Sequence, residues 1–166
     1  RGDPVGSHGL MILPLEGASE VDESLIGGKA AKLARMIRAG IRVPRGCCLT
    51  TGAYQAFIED RGLKAVIERE LERKSLASMR WEELWDAALR IRNSFLRAAM
   101  PNADRRELES AVREVFGSKL LVVRSSAPGE DSEEVSFAGL HDSYVGVSGS
   151  EVADYVQRVW ASLWSD

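Results

Sequence analysis

The sequence has no long apolar run and no excess of basic residues. No apolar stretch approaches the roughly 20 residues that a membrane-spanning helix needs. Its 22 Lys and Arg residues against 25 Asp and Glu give a net charge of -3, so there is no concentrated basic face of the kind that binds nucleic acid. The first residues also lack the ordered charged, apolar and cleavage segments of a secretory signal peptide. We therefore expect a cytoplasmic protein that binds neither membranes nor nucleic acid.

Cysteine is also scarce. The two cysteines, Cys47 and Cys48, are adjacent within a short apolar stretch. Neighbouring side chains on a strand point to opposite faces, so this pair forms neither an ordinary disulfide nor a set of metal ligands. We interpret both as small core residues.

The length and composition fit a soluble globular chain. With 166 residues, 45% of them apolar and 28% charged, the chain can bury a substantial core. Residues 1–10 resemble a tag or linker, and we expect the native sequence to start near Met11. The sequence stops within a helical pattern at Trp164–Asp166. We therefore expect residues 11–166 to be a piece of a longer protein.

Hydrophobic periodicity predicts many helices and a few strands. Gly40, Pro101 and Gly117 are expected to end three of the helices, Thr51 to cap a helix, and Ser148 with Glu151 to open the last one as a capping box. Helices are predicted over about 29–39, 51–60, the middle third of the chain, 104–116 and from 148, and strands over 47–50, 120–124 and 144–147. The 120–124 segment is predicted to be buried. This mixture indicates an α+β or α/β layered structure.

A glycine pair followed by lysine is the first candidate for chemistry. Gly27 and Gly28 precede Lys29 at the predicted start of a helix. Glycines let backbone N–H groups approach an anion, the helix N-terminus carries partial positive charge, and lysine can neutralise a phosphate oxygen. The spacing is not that of a P-loop, and a surface lysine after a flexible turn is the alternative.

The second candidate is Arg124, at the end of the predicted strand 120–124. A guanidinium group stays charged, so it must find an anion, either a ligand phosphate or a nearby carboxylate between Glu130 and Glu134. Downstream, the segment 136–139 either folds over phosphates with its backbone amides or is an ordinary loop. The acidic run itself is more typical of a solvated loop than of a metal site.

Several short sequence segments, taken together, indicate a protein family far more specifically than any one of them alone. In order along the chain they are Gly27–Leu33, Val43–Gly46, Leu49–Tyr54, Val123–Ala127 with Glu130 and Asp131, Ser136–Tyr144 and Trp160–Leu163. This combination resembles the N-terminal nucleotide-binding domain shared by phosphoenolpyruvate synthases, pyruvate phosphate dikinases and rifampicin phosphotransferases. The resemblance runs from Leu13 to the end of the chain.

The resemblance implies the first subdomain of an ATP-grasp domain, helix-rich with a small β-sheet, whose nucleotide lies in a cleft against a second subdomain. Lys29 and Arg124 would be the phosphate-contacting, catalytic residues. Ser136, Phe137, Ala138 and Gly139 would form a lid over the phosphates. In such enzymes ATP phosphorylates a histidine on a swivelling domain, which carries the group to pyruvate or another acceptor on a further domain. His141 does not match that phosphoacceptor motif.

The resemblance also implies that this piece is incomplete. The Mg²⁺ ligands of these enzymes lie mainly in the second subdomain, so we expect no metal site here, weak or undetectable ATP binding and no turnover. Leu140 stands where many relatives carry glutamine. The motifs are closer to the phosphoenolpyruvate synthase and rifampicin phosphotransferase types, and the sequence does not choose between them.

Two further expectations concern surfaces. A non-catalytic regulatory or interaction module would use Trp81, Trp85, Trp160 and Trp164 as contact surfaces, although tryptophans at helical spacing are more often core. Separately, a truncated chain should expose part of the cleft and a stripe of the last helix, which makes self-association plausible. The stripe consists of Val152, Val156, Val159, Trp160 and Leu163.

Overall fold

The computed structural model describes residues 12–20, 22–128 and 142–164. Within these ranges the chain forms six α-helices and two separate two-stranded antiparallel sheets, so the α+β prediction is confirmed. The strands are β1 (Ile12–Pro14), β2 (Cys47–Leu49), β3 (Leu121–Arg124) and β4 (Ser143–Val147). The helices are α1 (Glu23–Arg38), α2 (Thr51–Asp60), α3 (Leu63–Leu71), α4 (Trp81–Arg97), α5 (Asn102–Phe116) and α6 (Val152–Ser162). Short 3-10 helices cover Leu15–Glu20 and Leu76–Ser78.

Local stop signals end the helices where the sequence predicts. After α1, Gly40 adopts a φ of 76°, its N–H donates to Ile37 O, and the N–H of Ile41 donates to Met36 O. This pair of bonds is a Schellman motif, which satisfies carbonyls that a helix end leaves open. Gly117, with a φ of 64°, ends α5 in the same left-handed range.

Helix starts differ slightly from the prediction. Thr50, rather than Thr51, occupies the N-cap position of α2, and the Thr51 hydroxyl instead donates to Ser24 O at 3.3 Å. The carboxylate of Glu151 accepts from the N–H of Ser148 at 3.4 Å, but α6 itself begins one turn later, at Val152. Side chains near a helix start can bond to partners other than the helix itself, as Thr51 does with Ser24, 27 residues earlier in the chain.

The main core lies where α2, α4 and α6 meet the β3–β4 sheet. Phe57, Phe95 and Trp160 form its aromatic centre, with ring centroids 5.1 to 6.1 Å apart in the two pairs that include Phe57. Ile91, Leu108 and Val147 are fully buried around them. Such offset and tilted aromatic pairs add about 0.5–1.5 kcal/mol each beyond the area they bury.

A second, smaller core joins α1 to the β1–β2 sheet. Its buried members are Leu15, Ala18, Ile26, Ala30, Ala31, Ala34 and Cys48. Cys48 is buried and Cys47 half-buried, and both are free thiols, as the sequence predicts. Burial raises the pKa of the Cys48 thiol to about 11, with a smaller contribution from Cys47.

Two predictions about burial are wrong. Val122, in the segment predicted to be a buried strand, is exposed. Trp81 and Trp85 on α4 are also exposed, although tryptophans at helical spacing are more often core. On α6, Val152, Val156, Val159 and Trp160 are buried, so the proposed stripe of that helix is not an exposed surface. The physical reason is the same: α6 is packed against α4 and β3, whereas β3 and α4 each have one face that no described residue covers.

Candidate functional site

A kink in α1 lies where this helix meets the loop that follows β3. Gly27 has φ 77° and ψ 163°, so the first turn of the helix stops there and the helical backbone resumes with Gly28. These angles are essentially restricted to glycine. The predicted helix start around Lys29 is therefore real, although one helical turn precedes it.

Ser126 fastens this kink to the loop that follows β3. Its hydroxyl donates to Ile26 O at 2.8 Å and accepts the N–H of Ala30 at 2.9 Å. Next to it, the N–H of Gly28 donates to Ala127 O at 3.2 Å. These bonds join parts of the chain about 100 residues apart, and they hold the end of β3 against the start of the resumed helix.

The close approach depends on the missing side chain of Gly27. A Cβ atom at this position would lie 1.9 Å from Ser126 O and 2.3 Å from its carbonyl carbon. Real Cβ atoms do not come that close to backbone atoms. Glycine is thus required at position 27 both by its backbone angles and by its contact with Ser126.

The junction joins the two chain segments that carry Lys29 and Arg124. Lys29 is half-buried in the first turn after the kink. Of its two neighbours, Gly28 is hydrogen-bonded to Ala127 and Ala30 to Ser126. Arg124 is the exposed last residue of β3, two positions before Ser126. Since the N–H groups of Gly28 and Ala30 already donate within the protein, an anion bound here would meet the two cationic side chains rather than those two amides.

The β3–β4 sheet presents an open apolar face beside Arg124. Val122 pairs with Val145, and the two side chains are 58% and 80% exposed. Alternation along a strand places Arg124 on the same face as Val122. Val123 and Tyr144, one position along, pack instead against the main core. Arg124 therefore lies at the end of an apolar strip that no described residue covers.

The candidate lid, Ser136, Phe137, Ala138 and Gly139, lies outside the described residues, as do Glu130–Glu134 and His141. The chain re-enters the described part at Asp142, which is held by three contacts. Its Oδ2 accepts from the Tyr144 hydroxyl at 2.7 Å and lies 3.7 Å from Arg92 Nη2, while its N–H donates to Ser162 Oγ at 3.3 Å. Burial, followed by the bond to Asp142, raises the pKa of Tyr144 to about 12.

Sequence reasoning missed the structural roles of Ser126, Asp142 and Tyr144. Each lies in a segment that the sequence does single out, Val123–Ala127 or Ser136–Tyr144, but a segment does not reveal which side chain bonds to a distant helix. Among the described residues no group of three His, Cys, Asp or Glu side chains is arranged to hold a metal ion. Nor is any helix in the described part long and apolar enough to cross a membrane.

Comparison with known proteins places this chain in a family. Residues 23–166 match the model of the pyruvate phosphate dikinase AMP/ATP-binding domain. The phosphoenolpyruvate synthase of Aeropyrum pernix is 40% identical over 161 residues, which cover 93% of this chain and 20% of that protein. A probable phosphoenolpyruvate synthase of Staphylothermus marinus is 40% identical over 162 residues, covering 93% of this chain and 19% of that protein. The prodigiosin synthesizing transferase PigC of Serratia marcescens is 33% identical over 157 residues, covering 94% of this chain and 16% of that protein.

The matched region includes the kinked helix, the Ser126 junction and the open sheet face. The chain spans about a fifth of the length of the phosphoenolpyruvate synthases that it matches. It belongs to the family of pyruvate phosphate dikinase AMP/ATP-binding domains.

Proposed function

We propose that this chain is the ATP-binding part of a dikinase-type phosphotransferase, in which Lys29 and Arg124 contact the phosphates of ATP. The observation that carries the proposal is the Ser126 junction, which fixes the helix start at Lys29 beside the strand end at Arg124. Phosphoryl transfer relies on cations held in fixed positions around the phosphates, because charge stabilisation and positioning supply most of the catalysis. The hydrogen bonds that hold together the segments carrying Lys29 and Arg124 support this role.

The residues present are compatible with ATP. The nucleotide has a polyanionic end and an apolar base. Arg124 lies on the strand face that exposes Val122 and Val145, and Lys29 lies on the helix start that is hydrogen-bonded to the loop after this strand. When bound, ATP supplies the phosphoryl group, and the role of this chain is to bind and orient its phosphates. We further propose that residues 136–139 close over the phosphates as a lid.

The rest of the reaction is assigned to other parts of a longer protein. In this proposal the domain is the first half of an ATP-grasp unit, and Mg²⁺ is held by ATP together with carboxylates of the second half. The phosphoryl group passes through a histidine on a swivelling domain to pyruvate, the acceptor suggested by the names of the phosphoenolpyruvate synthases. PigC is named for a different product, which is consistent with a shared ATP-binding domain and an acceptor chosen elsewhere.

The assignment of Lys29 and Arg124 is tested in the full-length parent protein. We expect Lys29→Ala and Arg124→Ala each to weaken ATP-dependent activity by at least about 100-fold, the loss typical of a cation that stabilises charge in the transition state. Lys64→Ala and Arg106→Ala, which remove exposed cations from α3 and α5, are the matched controls and should change activity less than about twofold. Equal activities in the site variants and the controls would refute the assignment.

The isolated 166-residue chain provides an independent test. Because the proposed metal ligands lie outside it, isothermal titration with Mg-ATP should detect weak binding or none, and the chain should not hydrolyse ATP. Micromolar affinity in this chain alone would show that the site is complete without a second subdomain.

A further inference from the structure

Helix α4 carries an exposed apolar stripe that the proposed ATP site does not use. Trp81 is 69% exposed, Trp85 and Leu89 are each 46% exposed, and Leu96 is 44% exposed. The indole rings of Trp81 and Trp85 lie 6.2 Å apart. Single exposed apolar residues are normal on protein surfaces, but a contiguous group containing two tryptophans is not.

The stripe is distinct from the face that α4 buries. Ala87, Ile91 and Phe95 are buried against the core between α3 and α6. At 100° per residue, the four stripe residues fall within about 80° of arc on a neighbouring face, and they extend for roughly 22 Å along the helix. An apolar line of this length matches a second helix packed alongside α4.

The charges on α4 indicate which helix fits. Exposed acidic residues, Glu82 and Asp86, flank the stripe near the N-terminal end of the helix, and the exposed Arg97 flanks it near the C-terminal end. Arg92 lies within the stripe, in its C-terminal half, with Nη2 3.7 Å from Asp142. A helix with an acidic start and a basic end is complementary to an antiparallel copy of itself, whereas a parallel copy would place like charges together.

We propose that this stripe is a self-association surface, on which a second copy of the chain packs its own α4 in antiparallel orientation. A two-fold axis near Leu89 places Trp81 opposite Leu96 of the second copy and Trp85 opposite Arg92 of the second copy. The interface is isologous, so every contact occurs twice. Tryptophan facing arginine is also a favourable cation–π pairing.

The size of the surface predicts a weak dimer. A whole tryptophan side chain has a surface of about 250 Å². With Trp81 69% and Trp85 46% exposed, covering both would bury roughly 290 Å² on each copy. A standard interface buries about 800 Å² per partner, so the stripe supplies a hot-spot centre rather than an extensive contact. We expect a dissociation constant between about 10 µM and about 1 mM.

Sedimentation velocity of the 166-residue chain from about 5 µM to about 1 mM tests the proposal. The wild type should shift from monomer to dimer, and Leu89→Glu should raise the dissociation constant at least about tenfold by placing two like charges at the axis. Leu120→Glu is the matched control, because Leu120 is more exposed than Leu89 but lies outside the stripe. Circular dichroism verifies that both variants remain folded.

A wild-type chain that stays monomeric at about 1 mM would overturn the proposal, and would indicate that another partner or another part of the parent protein covers the stripe. The proposal would also be overturned if Leu89→Glu and Leu120→Glu raised the dissociation constant of the dimer equally.

Disulfide trapping in a Cys47→Ser background tests the orientation, since Cys47 is the more exposed of the two native thiols. Leu89→Cys should form a cross-linked dimer under mild oxidation, whereas Trp81→Cys should cross-link only when mixed with Leu96→Cys. Efficient cross-linking of Trp81→Cys to itself would mean that the helices are parallel and would refute the antiparallel arrangement.

Discussion

Among the described glycines with positive φ, Gly27 is the one whose replacement with alanine should destabilise this protein most. Two effects combine. The backbone angles of φ 77° and ψ 163° belong to a region that side chains avoid, at a cost of about 1–3 kcal/mol. The new methyl group would also overlap Ser126 O, which lies 1.9 Å from the position it must take.

The overlap forces the kink and the loop after β3 apart. That movement breaks the hydrogen bonds of the Ser126 hydroxyl with Ile26 O and Ala30 N, each contributing about 0.5–1.5 kcal/mol. The reduced entropy of the unfolded alanine chain offsets up to about 1 kcal/mol. The expected loss in the free energy of unfolding is therefore about 1–5 kcal/mol, which at its upper end is a large part of the 5–15 kcal/mol typical of a domain.

Gly62→Ala is the matched control for this experiment. Gly62 also has a positive φ, of 64°, but no atom lies within 4 Å of its ideal Cβ position. Gly62→Ala should lower the free energy of unfolding only by the cost of a left-handed backbone at a residue with a side chain, about 1–2 kcal/mol. Urea unfolding followed by tryptophan fluorescence and circular dichroism measures both variants. If Gly27→Ala is destabilised no more than Gly62→Ala, the close approach to Ser126 does not constrain the fold.

Two further substitutions test the contacts that organise the structure. Ser126→Ala should lower the free energy of unfolding by about 1–3 kcal/mol because two hydrogen bonds are lost. The control Ser118→Ala, at an exposed position, should change the free energy of unfolding by less than about 0.5 kcal/mol. Urea titrations in which the two variants are equally stable would contradict the role of Ser126. The buried carboxylate of Glu70 accepts from Arg90 at 2.7 Å, which is the main reason that its pKa lies below the ordinary value of 4.5. Glu70→Gln should therefore lower the free energy of unfolding by about 1–2 kcal/mol at neutral pH. The difference between variant and wild type should shrink as the pH falls below 4.5 and through the lowered pKa, because the wild-type carboxylate then also loses its charge. A deficit that is constant from neutral pH to acid, in thermal melts across that range, would show that the charge of Glu70 contributes nothing.

Helix ends were predictable because their signals are local. Gly40 and Gly117 adopt a positive φ, and α1 and α5 end one or two residues before them. α4 ends at Arg97, four residues before Pro101. The segments 47–50, 120–124 and 144–147 also form strands within one residue of the expected bounds. β1 and its pairing with β2 were not predicted, since three residues carry no usable periodicity.

Burial was less predictable than secondary structure, and the four tryptophans illustrate why. Trp160 is buried and Trp164 packs against the main core, with its indole N–H donating to the Tyr54 hydroxyl at 3.2 Å. Trp81 and Trp85 are exposed, although their spacing on α4 is equally helical. Periodicity shows that residues share a face, but only the packing of helices decides which face a neighbour covers.

The sequence by itself determined the helix-rich α+β class, most element boundaries, the two free cysteines and the family to which the chain belongs. These properties follow from local backbone preferences, from spacing along the chain and from the order of short motifs. Only the tertiary structure decided that Ser126 joins the kink at Gly27 to the end of β3, that the β3–β4 sheet leaves Val122 and Val145 open beside Arg124, and that α4 presents two tryptophans to the outside. Each of these depends on contacts between residues distant in the sequence, and such contacts form only when the chain packs.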